Sequence, residues 1–294
     1  MPNAIALASR YVPLLDEVYK LASLTSDLDG AAELARQGAN ANELIIPKLS
    51  MDGLANYSRN SGYVSGDVTL TNETVTCNFD RGRMFTVDSM DNIETAGLAF
   101  GRLAGEFIRT KVAPEVDAFR FAKYASTNGI SKVATPATLS TGVEVLAAIR
   151  AGVTRMDEDE VPQEQRYLYI TPTLLGMVQD LDTTKSREVL SRFAKVREVP
   201  QTRFYTAITQ YDGQSTGQTA GGYVKKTGTG GGKDINFMIV HKPAVIQYPK
   251  HIAPKVITPD ANQDADAYKF GYRIVGIADV YDNKVVGIYL HHKA

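Results

Sequence analysis

The segment GTGGGKD, residues 228–234, carries the residue types of a phosphate-binding loop: glycines that let backbone N–H groups converge on an anion, then a lysine. The spacing fails. With Gly232 and Lys233 as the terminal G-K of G-x-x-x-x-G-K-[ST], the first glycine falls on Thr227 and the hydroxyl position on Asp234. A G-x-G-x-x-G register begun at Gly228 requires glycine where Lys233 stands. No nucleotide or other cofactor is expected. Lys233→Ala and Gly232→Ala are both expected to leave stability and assembly nearly unchanged, because a Gly- and Thr-rich loop buries little.

Other residues with chemical potential fall short in the same way. Asp157, Glu158, Asp159 and Glu160 offer oxygens to a hard cation, but lack the spacing and glycine of an EF-hand and run into Pro162 as an exposed connector does. Asp260, Asp264 and Asp266 lack the required glycine and terminal glutamate, and read as a surface turn. His291 and His292 are adjacent, so they cannot share a helix face as H-E-x-x-H ligands do. His241 and His251 have no serine in a G-x-S-x-G elbow to activate. Cys77 is the only cysteine, which excludes an intrachain disulfide and a cysteine-rich metal site and suits a reducing compartment. No catalytic, cofactor-binding or metal-binding residue is assigned.

Composition narrows the classes further. Lys plus Arg number 32 against 33 Asp plus Glu, a net charge of -1, so no basic field exists to hold a polyanion by counterion release. No basic, apolar leader opens the chain and no apolar run is long enough to span a bilayer; folding in the cytoplasm is expected. With 294 residues, 44% of them hydrophobic, a sizeable core forms without staples.

The elements that must carry these residues are unusual. Leu14, Leu15, Val18, Leu21 and Ala22 recur at helical spacing after Pro13. Residues 44–88 alternate in short half-polar strands too thin to be a domain, and read as one long extended hairpin. The longest helix follows: Phe100, Leu103 and Phe107 form a stripe that Val112, Val116 and Phe119 continue with a phase jump, and Pro114 is expected to bend it. Thr141 with Glu144 predicts a capping box. RYLYI, residues 166–170, predicts a strand, with Thr171 as N-cap and Pro172 opening a helix. Strand-rich segments flank a mobile Gly-rich loop at 213–233, and YRIVGIADVYDNKVVGIYLHH predicts a hairpin turning at Asp282 and Asn283. No internal repeat is present. A thin hairpin finds its missing burial on neighbouring subunits, which points to assembly.

The succession NFDRGRMFTVDSMDNIETAG, GEFIRTKVAPEVDAFRFAKYAS, RYLYITPTLLGMV, NFMIVHKPAVIQYPK and DADAYKFGYRIVGIADVYDNKVVGIYLHHK resembles the major capsid proteins of tailed bacteriophages. That resemblance covers about residue 44 to the end and implies an α+β, Hong Kong 97-type fold. It implies an N-terminal arm at 1–40, an extended E-loop with flanking strands at 41–90, a spine helix of a peripheral domain at 91–127, a mainly axial domain at 128–240 and returning strands at 241–294. It also implies a non-enzymatic homo-oligomer of pentamers and hexamers, forming a virion capsid in the host cytoplasm around double-stranded DNA held without sequence specificity. A portal protein is an implied partner; either a separate scaffolding protein assists or the chain is already the mature form. No membrane is involved, and no crosslink is assigned to Lys48. Arg59, Arg81 and Arg83 are expected to contact carboxylates of a neighbouring subunit through bidentate guanidinium pairing, or else to be solvated edge charges. An encapsulin-like nanocompartment is the alternative within the fold, and a soluble hydrolase the alternative outside it.

Overall fold

A computed structural model describes residues 23–30, 36–37, 43–60, 62–94, 98–181 and 183–294. The helix expected over 13–22 lies outside the described residues, as does the side chain of Phe100.

The strands are β1 (Arg36–Gln37), β2 (Glu43–Met51), β3 (Val68–Thr76), β4 (Phe79–Asp88), β5 (Ser131–Lys132), β6 (Arg166–Ile170), β7 (Lys195–Glu198), β8 (Ile208–Gln210), β9 (Tyr223–Lys225), β10 (Ile235–His241), β11 (Val245–Ile257), β12 (Ala267–Val280) and β13 (Ile288–His292). The helices are α1 (Ser89–Glu94), α2 (Leu98–Phe107), α3 (Ala113–Ser126), α4 (Gly142–Glu158), α5 (Pro172–Gln179) and α6 (Thr184–Ser191).

A five-stranded sheet in the order β5-β13-β10-β6-β7 forms the main core. Successive strand residues point to opposite faces. Leu168, Ile170, Phe237, Ile239 and Tyr289 therefore meet Val145, Ile149, Val153 and Met156 of α4 on one face. Tyr167, Tyr169, Met238, Val240, Ile288 and Leu290 meet Phe121 and Tyr124 of α3 on the other. Both faces are covered, so RYLYI is buried throughout and reads as an unbroken apolar run. Thr141 closes the expected capping box: it accepts from the Glu144 N–H at 3.3 Å and donates its own N–H to Glu144 Oε2 at 3.3 Å.

The long helix runs through α2 and α3 with a π turn between them over Ile108–Val112, where the Ala113 N–H reaches back five residues to the Ile108 carbonyl. One extra residue in the turn advances the apolar stripe, which accounts for the phase jump seen in sequence. Pro114 lies one residue beyond the π turn, after Ala113, and has no N–H to give the Thr110 carbonyl. Ile108, Val112 and Val116 are thereby buried together against Phe79, Phe270, Tyr272 and Ile274.

Two sequence expectations about the strands need correction. The extended hairpin is β2 with β3, paired antiparallel from Glu43↔Thr76 to Met51↔Val68; β4 leaves it and joins a second sheet, β11-β12-β4, pairing Phe79↔Gly276 through Asp88↔Ala267. Phe79, Phe85 and Tyr272 supply the apolar face that draws β4 onto that sheet. The hairpin expected across Asp282 and Asn283 does not form either. A 3₁₀ segment, Asp282–Gly287, carries the chain from β12 in the second sheet to β13 in the five-stranded one. Ile274 and Ile277 of β12 enter clusters apart from the one that takes Ile288 and Leu290 of β13, while Ala278 and Val280 at the end of β12 join the latter.

Candidate assembly surface

Two features stand out at the surface: the β2–β3 hairpin and a cleft beside the long helix. At the base of the hairpin Val75 is buried with Ile246 and Ile277. Beyond that base, residues 49–60 and 63–72 are all exposed, on both faces. Nine strand residues at about 3.3 Å each carry the pair roughly 30 Å from its base. Large apolar side chains stand exposed along it and at its far end. Leu54 and Tyr63 retain 108% and 90% of their accessible surface, and Leu49, Met51, Tyr57, Val64, Val68 and Leu70 are exposed with them. The tip is nevertheless ordered: Tyr57 and Tyr63 pack edge to face at 4.9 Å, Ser58 and Gly62 form a bridge, and the Asp67 N–H donates to Asp52 Oδ2 at 2.8 Å. Among the described residues nothing covers this exposed apolar surface, which makes the tip a candidate contact surface. Leu54, Tyr57 and Tyr63 are not among the residues expected from sequence to make contacts. The available signal was a pair of tyrosines and a leucine set among Gly, Asn and Ser.

Arg59 sits at this tip and is exposed. Arg81 and Arg83 lie on β4 instead. Arg81 Nε pairs with Glu115 Oε1 of α3 at 2.8 Å. Arg83 donates to the carbonyls of Ala220 at 3.1 Å and Thr219 at 3.0 Å, gripping the loop between β8 and β9. Gly221, at φ +67°, would bring an added Cβ to 2.9 Å from Arg83 Nη1, so the glycine makes room for the guanidinium. Part of the Gly-rich segment is thus an arginine socket.

Those contacts roof a cleft of about 1340 Å³ between β4, the long helix and the β8–β9 loop, floored by Phe79, Phe85, Phe107 and Tyr272. At its rim Arg273 binds Asp80 through two bonds, and this hydrogen bonding holds the Asp80 carboxyl below its usual range despite some desolvation.

The second half of the opening motif is built into the fold. Lys233 donates its N–H to Thr206 Oγ1 at 2.8 Å, Gly232 donates to the Lys226 carbonyl at 2.8 Å, and Thr206 donates to the Lys233 carbonyl at 2.9 Å. Gly232 is buried, and a Cβ there would stand 2.2 Å from the Ala207 carbonyl oxygen. The expectation that Gly232→Ala is harmless is therefore wrong, because the loop closes on the backbone of its neighbour. Lys233 remains exposed.

The other candidate residues hold structural places. Asp157 pairs with the buried Arg166 at 2.7 Å, and Asp159 with Arg155 at 3.0 Å, so both aspartates of the acidic run are engaged by arginines. Asp264 binds Lys269 at 2.5 Å, and Asp266 accepts from Ser89 at 2.7 Å. His291 stacks on Phe237 and lies 3.0 Å from Asn236 Nδ2; burial, reinforced by His292, lowers its pKa to about 4. Burial likewise lowers His241, with help from Arg166 and Lys284. Among the described residues no three His, Cys, Asp or Glu converge as metal ligands, and no helix is long and apolar enough to cross a membrane.

A projecting hairpin, a long helix packed on a three-stranded sheet and a covered five-stranded sheet together define the Hong Kong 97-type capsid fold, as the resemblance implied. No protein-family model and no curated protein matches the sequence. Solved structures do. A chain of Mycobacterium phage Che8 superposes with TM-score 0.60 at 13% identity, over 92% of this chain and 90% of that one. The capsid chain of Cyanophage P-SCSP1u gives 0.58 at 13% identity, over 88% and 85%. The virus-like particle from Pyrococcus furiosus gives 0.57 at 10% identity, over 94% and 95%. At such identities the likeness is one of fold.

Proposed function

We propose that the chain is the major capsid protein of a tailed phage: copies join as pentamers and hexamers into a closed shell around double-stranded DNA, with no catalytic role. The observation that carries this is the exposed hairpin, an ordered projection whose tip carries large apolar side chains that no other described residue covers. The fold it projects from is that of phage capsid chains. On this reading residues 1–40 are the arm, 41–90 the E-loop with its flanking strands, 91–127 the spine helix of the peripheral domain, 128–240 mainly the axial domain and 241–294 the returning strands. On the same reading Arg59, exposed at the tip, is the guanidinium that would pair with a neighbouring carboxylate; Arg81 and Arg83 are engaged within the chain. A net charge of -1 suits a container that holds DNA without gripping it. Scaffolding and portal proteins are the expected partners, and the host cytoplasm the place of assembly.

The second reading is a nanocompartment that holds protein, favoured by the likeness to the Pyrococcus furiosus virus-like particle along 95% of that chain. Expression of the chain, alone and with a candidate scaffolding protein, followed by electron microscopy and sedimentation, tests both. Closed icosahedral particles are expected. A compact monomer under every condition refutes the shell. Nuclease-protected double-stranded DNA in particles from infected cells supports the capsid, whereas a stoichiometric protein cargo without DNA supports the second reading.

A further inference from the structure

Residues 23–30, SLTSDLDG, contain one 3₁₀ turn, Ser26–Leu28, and no strand. Side chains of the body hold them in place. Asp117 of α3 is fully buried and accepts five hydrogen bonds. Oδ1 takes Ser23 Oγ at 2.8 Å, Thr25 Oγ1 at 2.7 Å and the Thr25 N–H at 3.2 Å; Oδ2 takes the Leu24 N–H at 3.0 Å and Arg203 Nη1 at 3.2 Å. Thr25 Oγ1 in turn accepts from the buried Arg120 at 2.8 Å. Gln247 donates to the Thr25 carbonyl and to Asp29 Oδ1, both at 2.6 Å, and its own carbonyl accepts the Gly30 N–H at 3.0 Å. Lys195 and Arg197 on the edge strand β7 close on Asp27 at 2.6 Å. Leu28 completes the seat by entering the cluster around Phe121 and Tyr124.

A buried carboxylate is tolerated only while its lone pairs are satisfied. Four of the five donors to Asp117 come from Ser23, Leu24 and Thr25, so the segment and the carboxylate satisfy one another. Removing any one donor leaves the rest in place, but lifting the segment strips all four together. Attachment is therefore cooperative and confined to this seat.

We propose that residues 23–30 are a latch closed by Asp117, which opens as one unit while both large sheets stay folded. The proposal goes beyond the shell function and does not depend on it.

Hydrogen exchange on the full chain, in whatever oligomeric form it purifies, tests this with the wild type, Asp117→Ala and Thr25→Val. In Asp117→Ala the amides of Leu24, Thr25, Leu28 and Gly30 are expected to exchange at least about ten-fold faster, with those of β6 and β10 unchanged. Thr25→Val, which keeps its shape but loses one donor and one acceptor, is expected to fall between Asp117→Ala and the wild type. Unchanged exchange at 24–30 in both variants overturns the latch. So does equal acceleration in β6 and β10, which would make the segment part of one cooperative core. Should Asp117→Ala fail to fold, Thr25→Val decides alone: acceleration confined to 24–30 supports the latch, and any other pattern refutes it.

Discussion

Gly232→Ala isolates what the folded loop demands of its backbone. The added Cβ would stand 2.2 Å from the Ala207 carbonyl oxygen and 3.1 Å from the carbonyl carbon, and both are backbone atoms that no rotamer change removes. Ordinary contact begins near 3.4 Å, so one of the two strands flanking the site must move by roughly 1 Å. Overpacking of this kind costs about 1–3 kcal/mol. The same movement strains the bonds from Gly232 to Lys226 and between Thr206 and Lys233, at about 0.5–1.5 kcal/mol for each one lost. A net loss of about 2–4 kcal/mol follows, and 2 kcal/mol alone lowers the midpoint of thermal unfolding by roughly 3 °C for a chain of this size. Lys233→Ala is the control, since its exposed side chain is removed while every backbone bond survives. Urea denaturation of unassembled subunits, followed by circular dichroism, reads both variants against the wild type. If Gly232→Ala is as stable as Lys233→Ala, the steric argument is wrong.

Three further outcomes are expected. Replacing residues 53–66 by a short Gly-Ser linker joins Asp52 to Asp67, whose backbones already bond at 3.2 Å; the subunit should stay folded and soluble but form no closed shells, and regular particles of normal stability would refute the hairpin tip as an intersubunit contact. His291 is depressed to about 4 from 6.5, so the unfolded chain binds the extra proton between those values and stability falls as pH drops from 6.5 to about 4, by about 2 kcal/mol between pH 6.5 and 5. His241 contributes with the same sign, and His291→Asn should flatten the slope; an unchanged slope in urea titrations at pH 4.5–6.5 would show that His291 is not its source. Arg83→Ala should free the loop between β8 and β9, raising proteolytic cleavage and amide exchange at 213–221 while β6 and β10 are unaffected; unchanged protection would mean that the socket does not hold the loop.

Local rules were legible in the residues themselves. Thr141 and Glu144 lie three apart and form both bonds of the capping box, and Pro172 opens α5 with a fixed φ and no N–H to waste. The slip in the apolar stripe between Phe107 and Val112 was visible as a change of phase, because periodicity records the number of residues per turn. The strand character of 79–88 and 288–292 was legible too, but its partners were not. Alternation states which side chains share a face, while the choice of sheet depends on apolar surface nearly two hundred residues away, as in Arg81↔Ile274. The same distance hid the site residues. Nothing next to Arg83 announces the Ala220 carbonyl, and nothing near Asp117 announces Ser23 and Thr25. Gly232 shows the difference most sharply: in sequence it is one glycine of a flexible run, and only the approach of Ala207 makes its missing Cβ a requirement. Sequence determines what each residue prefers over a few neighbours; tertiary structure decides which distant backbone stands against it, because that contact exists only when the whole chain has closed.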